Sequence, residues 1–371
     1  MGYVTVDGSA APDRALSGGL GYRPELDGMR AFAVLAVLVY HYTEERSIPG
    51  VRWHPLPGGS IGVDLFFVLS GYLITRLLIA EHERWESIDL KAFYGRRAVR
   101  LVPALMVMLA VVVAVYLLWN PFGSTYPFWL SVVSGAAYFA DLASTWQLLT
   151  PALQPLWSLS IEEQFYLVWP ALVIGMLRRR TPRSLGVLAG FLTVISLLDL
   201  MVRARAGHVS LYFSPDTHAA PLFGGSAMAA TLAWLPPLRA GGRRAARVAG
   251  LAGIVVLAYV ATQTRDNNIS VTLLPVTLAS IGLLLFVLTD DRAARFFAWG
   301  PFVWIGQRSY GIYLWHMPVF VVVFAPLIER GAPGTLSRIA ALALSLVVAG
   351  VSLRFVERPL QRRWKARFTR A

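Results

Sequence analysis

Apolar positions in this chain run in long unbroken blocks, without the short alternation of a half-buried strand or the polar stripe of a soluble surface helix. A helix needs about 20 mostly apolar residues to cross a hydrocarbon core. Blocks of that order lie near 29–43, 61–80, 99–118, 161–177, 185–202, 218–235, 248–263, 271–289, 309–327 and 336–355. Another apolar stretch, 128–148, follows Pro127 and is broken by Ser131, Ser134, Gly135, Asp141 and Ser144. The pattern predicts an all-α, polytopic integral membrane bundle of about ten transmembrane helices, with a re-entrant or interfacial segment near 128–148.

The basic residues orient those helices. If 128–148 crossed, Arg178, Arg179, Arg180 and Arg183 would face outward, and every basic loop after them would change sides. If it does not cross, the spans alternate so that Arg14, Arg23, Arg30, the 84–100 loop, 178–183, 239–247, Arg292, Arg295 and 358–370 share the cytoplasmic side. Arg46, Arg52, Arg203, Arg205, Arg265, Arg330 and Arg338 then stand outside, seven of the 34 basic residues, which satisfies the positive-inside rule. Both termini are expected in the cytoplasm of a multi-pass plasma-membrane protein. Residues 1–24 are polar and rich in Gly, Ala and Pro with no apolar core of a signal peptide, so they predict a disordered cytoplasmic lead. The membrane domain is expected over 25–360, and a basic cytoplasmic tail over 361–371. No repeat of 20–50 residues and no inverted repeat is visible.

Composition agrees. Of 371 residues, 56% are hydrophobic and only 15% charged, and mean hydropathy is +0.56. A soluble domain carries roughly a quarter charged residues, and a disordered chain is far less apolar. The net charge of +13 would point to nucleic acid in a soluble protein. Between apolar runs it reports orientation instead, and no nucleic-acid partner is expected. With no cysteine, a disulfide framework, a thiolate nucleophile and a cysteine-bound metal are excluded. No HExxH or CxxC spacing occurs, so no metal and no tightly bound cofactor are expected.

Ionisable groups inside apolar runs mark function by default. Glu25-Leu-Asp27-Gly-Met-Arg30 opens the first span and His41 lies near its far end. Eleven residues is about three turns, or roughly 16 Å, on nearly one helix face. An interfacial anchor arginine and a helix-end histidine would read the same way. Asp64 and Ser70 fall in Gly62-Val-Asp64-Leu-Phe-Phe-Val-Leu-Ser70-Gly71-Tyr72; an acid in a first turn also offsets the helix dipole, and the glycines also permit close helix packing. Arg96, Arg97 and Arg100 open the third span, where positive-inside charge and a phosphate site are equally served. In Trp157-Ser-Leu-Ser160-Ile-Glu162-Glu163-Gln164, a cap at Ser160 with acids in the first turn accounts for one glutamate but not both. Tyr313 and His316 precede Pro318, where a histidine is usually structural. Glu357-Arg358-Pro359 closes the last span and fits a helix-end ion pair. With the orientation above, His41, Asp64 and Glu163 fall at one depth in the outer half, which is the composition of a general base and its orienters.

At these residues the chain resembles the membrane-bound acyltransferase family three, which includes O-antigen and exopolysaccharide O-acetylases and macrolide O-acyltransferases. The Arg30-x10-His41 spacing, G-V-D-L-F-F-V-L-S-G-Y, F-Y-G-R-R-A-V-R-L-V-P, W-S-L-S-I-E-E-Q-F-Y, Y-G-I-Y-L-W-H-M-P and the terminal E-R-P match in order, from about residue 24 to 360. The resemblance implies a bundle of about ten helices and transfer of an acyl group, usually acetyl, from acyl-CoA as co-substrate to a hydroxyl. It marks Arg30 and His41 as the essential pair, and Arg97 and Arg100 as the arginine motif. Some relatives carry a C-terminal SGNH hydrolase-like domain, and its absence here implies a stand-alone transferase. Relatives often read T-R-x-D before the sixth span, whereas Thr217-His218-Ala219-Ala220 has neither Arg nor Asp, which leaves the acceptor open.

Two functions follow as alternatives. In the first, acyl-CoA phosphates bind Arg96, Arg97 and Arg100, with Arg30 on a phosphate or the oxyanion. His41 then takes the acceptor's proton or relays the acyl group, with Asp64 or Glu163 fixing its tautomer. Ser70, Tyr72, Trp157, Ser160, Gln164, Tyr313 and His316 complete the candidate binding residues. The acceptor is a glycan or a macrolide-like natural product, and the oligomeric state is open. In the second, the same groups form the path of a transporter or flippase, which the missing repeats disfavour.

Overall fold

In a hydrocarbon core the backbone finds no water, so each long apolar run closes its hydrogen bonds on itself as a helix. A computed structural model describes residues 21–43, 55–120, 125–179, 181–207, 211–263 and 269–368. Most of the expected disordered lead, Arg14, Arg46, Arg52, Arg180, Arg265 and the last residues of the expected tail lie outside them. No strand occurs among the described residues. In chain order the helices are α1 (Pro24–Thr43), α2 (Ile61–Trp85), α3 (Leu90–Trp119), α4 (Thr125–Ala136), α5 (Ala140–Thr145), α6 (Leu156–Arg179), α7 (Pro182–Arg205) and α8 (Pro215–His218). They continue as α9 (Ala220–Trp234), α10 (Ala240–Gln263), α11 (Ile269–Thr289), α12 (Asp291–Phe297), α13 (Gly300–Gly306), α14 (Ser309–Val319), α15 (Ala325–Glu329), α16 (Gly334–Ser352) and α17 (Arg358–Phe368).

Among the described residues, seven stretches are long and apolar enough to cross a membrane: α2, α3, α7, α10, α11, Ser309–Ile328 and Gly334–Trp364. The other expected spans coincide with α1, α6 and α9. Asp27, Arg30 and His41 dilute the first, Glu162 to Gln164 dilute the second, and the third has only 15 residues. The chain is a multi-pass helical bundle. The interrupted 128–148 stretch becomes α4 and α5, separated by a turn in which Tyr138 takes φ +57°; α4, with 12 residues, rises only about 18 Å. Helix starts differ from the expected span starts because apolarity marks only the lipid-facing length. Thus α3 begins at Leu90, capped by the Asp89 carboxylate accepting from the Ala92 amide at 2.9 Å, with its basic turns below the apolar run. Pro318 frees a carbonyl, and a π segment follows at Phe320–Phe324.

Helix α2 is the axis. Of its apolar window 72% is buried, against 22% for α7 and for Gly334–Trp364, which leaves rows such as Val187, Phe191, Val194 and Leu198 facing outward as lipid-contacting surface. Around α2 stand α1, α6, α9 and α11. Without a hydrophobic driving force inside lipid, such contacts depend on close packing. Gly71 of α2 lies against the Leu222 backbone of α9, and Gly225 of α9 against Val68 of α2; a methyl group at either position would collide with a carbonyl.

Candidate active site

One end of the bundle collects charge, and a cavity of about 830 Å³ opens there. Arg23 approaches from just before α1 and Arg30 from within it, Arg96, Arg97 and Arg100 from the first turns of α3, and Arg358 from α17. The start of α1 is stitched down: Arg30 bonds Asp27 at 3.1 Å, Tyr22 bonds Asp27 at 2.9 Å, and Gln307 bonds Tyr22 at 2.8 Å. Further in, Arg97 pairs with Glu163 at 3.4 Å and lies 3.3 Å from the Tyr166 ring centroid. Along α2 the lining runs from Leu77 to Val63, about 21 Å of helix, so the cavity reaches through most of the bundle. Its inner end is apolar, with Val63, Phe66, Phe67 and Tyr313, the last hydrogen-bonded to Ser158 at 2.7 Å.

Behind Tyr313 two imidazoles meet. The Tyr313 and His316 ring centroids are 5.4 Å apart, and those of His316 and His41 are 5.0 Å apart. His316 Nδ1 lies 2.5 Å from the Tyr313 carbonyl oxygen. A carbonyl only accepts, so Nδ1 carries the hydrogen and Nε2 keeps its lone pair. That lone pair faces His41 Nδ1 at 3.1 Å, so His41 Nδ1 donates. The chain of bonds therefore assigns the lone pair of His41 to Nε2, the nitrogen a general base uses. Tyr42 fastens the pair from the other side, donating to the His316 carbonyl at 3.2 Å and meeting Ser345 at 2.8 Å. His316 is fully buried, while His41 stays partly exposed.

The expected meeting of His41 with Asp64 or Glu163 does not form. Asp64 is 2.7 Å from His218 Nε2, and His218 Nδ1 is 2.6 Å from the Tyr212 carbonyl. Glu163 lies about two turns into α6 and faces Arg97, about two turns into α3 from the opposite end, so it belongs to the charged half. The physical reason is the start of α6: the helix begins at Leu156, ahead of the apolar run expected from 161, so Glu163 falls about two turns in rather than in the first turn. For the same reason Ser160 is not a cap. It sits in the second turn, donates to the Leu156 carbonyl and accepts from the Ala140 amide, both at 3.0 Å. Gln164 likewise holds this turn, donating to Tyr138 O at 3.0 Å and Asp141 Oδ1 at 2.9 Å.

Of the predicted residues, Arg30, Ser70, Arg96, Arg97, Arg100, Glu163 and Tyr313 line the cavity. His41, Asp64, Tyr72, Trp157, Ser160, Gln164 and His316 do not. Ser70 and Tyr72 are two residues apart, about 200° around a helix, so Ser70 bonds Glu162 in the cavity wall while Tyr72 packs into the core against α9 and α11. Trp157 packs on His218 at 5.1 Å. Glu357 and Arg358 form no ion pair; Glu357 accepts from Ser352 at 3.5 Å. Sequence reading missed Tyr138, whose buried hydroxyl in the cavity wall has no partner, and nothing in the local sequence signals its left-handed turn. It also passed over Glu162, bonded to Ser70 and Tyr166; the i,i+4 spacing of Glu162 and Tyr166 was the available signal.

A family model described as an acyltransferase domain matches residues 23–354. The chain belongs to acyltransferase family three. Among curated relatives, the peptidoglycan O-acetyltransferase OatA of Listeria monocytogenes is 32% identical over 367 residues, 92% of this chain and 56% of that protein. The O-acetyltransferase OatA of Staphylococcus aureus is 32% identical over 369 residues, 92% of this chain and 58% of that protein. The chain thus spans little more than half the length of these relatives, and no solved structure matches it. In this family-three chain, α1 carries both residues of the Arg30-x10-His41 pair, Arg30 at the charged mouth and His41 beyond the cavity's inner end.

Proposed function

We propose that this chain is a membrane O-acyltransferase that moves an acyl group, acetyl foremost, from acyl-CoA to a hydroxyl of a cell-wall glycan, with His41 as the base. The hydrogen-bond chain Tyr313 C=O, His316, His41 carries this reading, since it leaves the lone pair of His41 on Nε2. The acceptor O–H gives its proton to Nε2 as its oxygen attacks the thioester carbonyl carbon. The C–S bond then breaks, the new ester remains on the acceptor, and the imidazolium returns the proton to the departing sulfur. The donor's phosphates suit the arginine-lined mouth. The cavity's length suits an extended arm carrying the thioester inward, and Tyr138 offers a hydroxyl to it. Because Arg30 and His41 lie about 16 Å apart along α1, donor and acceptor approach from opposite ends. A glycan is favoured over a macrolide because the Listeria relative is named for peptidoglycan O-acetylation.

The test is purified full-length protein in vesicles given labelled acetyl-CoA and peptidoglycan fragments. Ester formation that requires His41 supports the reading. Uptake of label into vesicles without ester formation would instead support a transporter.

A further inference from the structure

Apart from the acyl-transfer cavity, a groove of about 670 Å³ runs between α13 and the last helical stretch of the bundle. Trp304 and Arg308 form one wall. Val347, Val351, Arg354, Arg358 and Arg362 form the other, spaced three or four residues apart and so following one helix face. From Val347 to Arg362 this wall rises about 22 Å, and it changes character halfway. The first part is apolar and accessible, with Val347 58% and Val351 50% exposed. Beside it, a side chain at Gly350 would meet nothing within 4 Å, so the groove is open there. The second part is cationic.

No carboxylate closes on these arginines, although Glu357 acts on Arg358 from the neighbouring position. Among the described residues no carboxylate forms an ion pair with Arg308, Arg354, Arg358 or Arg362. Arg308 stacks 3.9 Å from the Trp304 ring centroid and donates Nη1 to the Trp304 carbonyl at 2.9 Å, while its Nε is buried with no partner. Burial, then the neighbouring Arg358 charge, pushes the Arg308 pKa below its ordinary value. Cations converging on a half-buried groove repel one another, and an anion between them removes that repulsion.

We propose that this groove binds an anionic phospholipid, its phosphate held by Arg308, Arg354, Arg358 and Arg362 and an acyl chain lying along Val347, Gly350 and Val351. The order of the wall argues for lipid over a soluble anion. Inorganic phosphate would engage the arginines alone, whereas one phospholipid would occupy both the cationic part and the lipid-facing valines that continue the same wall. A phospholipid presents chain then headgroup in the same order, and Trp304, stacked on Arg308, is a residue type that favours the membrane interface. Arg358 also lines the acyl-transfer cavity, so the bound lipid phosphate stands beside that mouth.

Native mass spectrometry of the intact chain tests this, with detergent micelles containing dioleoyl phosphatidylglycerol, dioleoyl phosphatidylcholine or inorganic phosphate alone. Wild type is expected to retain phosphatidylglycerol at least about tenfold more than phosphatidylcholine and to show no phosphate adduct. The triple variant Arg308→Ala, Arg354→Ala, Arg362→Ala is expected to lose about tenfold or more of that retention. Gly350→Leu keeps every charge and fills the open part of the groove, and is expected to lose it too. Arg239→Ala, Arg243→Ala, Arg244→Ala removes as much charge from the start of α10 and is expected to retain lipid normally. Equal retention of phosphatidylcholine, an unchanged triple variant with normal helicity, or equal loss in the α10 variant would overturn the site. A phosphate adduct that competes with phosphatidylglycerol, together with an unaffected Gly350→Leu, would overturn the lipid in favour of a soluble anion.

Discussion

His218 and His41 are both drawn into the bundle interior, yet their surroundings commit them differently. His218 faces the Tyr212 carbonyl with one nitrogen and the Asp64 carboxylate with the other, inside a cage of Phe67, Trp157 and Tyr212 rings. Both nitrogens face oxygen acceptors, so this imidazole is a clamp. It ties the 211–218 segment, itself bonded to α7 through Ser196 and Asp216 at 2.6 Å, to the head of α2. His41 faces the Val37 carbonyl of its own helix and a second imidazole already oriented by a carbonyl, with no carboxylate beside it, and the His316 bond leaves its lone pair on Nε2. Burial alone therefore does not set the two histidines apart. The kind of acceptor around each ring does.

The contrast breaks most directly at His41. His41→Ala is expected to lower acyl transfer about a thousandfold with the thermal midpoint of the purified protein little changed. Retained turnover would end the assignment of the base. At the clamp the effect moves to stability. His218→Leu leaves the Asp64 carboxylate buried and unpaired, at a cost of about 3 kcal/mol, read as a lower unfolding midpoint. Adding Asp64→Leu should restore most of it, because a buried pair is replaceable by apolar side chains. A loss of turnover in His218→Leu with unchanged stability would mean that the clamp is chemical after all.

Between the two lies His316, which the proposed mechanism makes a positioning residue. His316→Ala is expected to lower kcat about a hundredfold with KM nearly unchanged, and His316→Gln to recover part of it, since a side-chain amide oxygen can accept from His41 Nδ1. Equal losses in both variants would reduce His316 to packing. The smallest effect belongs to a clamp outside the membrane. Asp290 accepts from the Arg292 and Ala293 amides at 2.9 and 3.1 Å and from Arg247 Nε at 3.0 Å. Burial alone would raise its pKa, but the Ala293 amide and the Arg247 guanidinium outweigh that and hold it below the usual carboxylate value. Its stabilisation is then present above the unfolded value of about 3.9 and lost as pH falls below it. Asp290→Ala should cost about 1 kcal/mol at neutral pH and less in acid, with kcat unchanged.

Part of this was legible before any coordinates. Arg30 and His41 lie eleven residues apart on one apolar helix, and helical periodicity alone separates them by depth. The arginines of α3 announced a charged mouth. Ser70 and Tyr72 come from one motif read as a string, and only Ser70 lines the cavity, because neighbours two apart on a helix face nearly opposite sides. Asp64 and Glu163 were assigned to His41 by depth, and each had another partner waiting: His218 from a segment that carries no matching motif, and Arg97 across the bundle.

The sequence by itself determined that the chain is a helical membrane bundle and where its long helices run. Bilayer thickness and the need to satisfy every backbone group leave an apolar run of that length one conformation. Only the tertiary structure decided which polar groups meet. Rotation of each helix about its axis and its depth of entry follow from contacts such as Gly71 against Leu222 and the turn between α4 and α5, and those distances lie between segments far apart in the chain, where no local pattern records them.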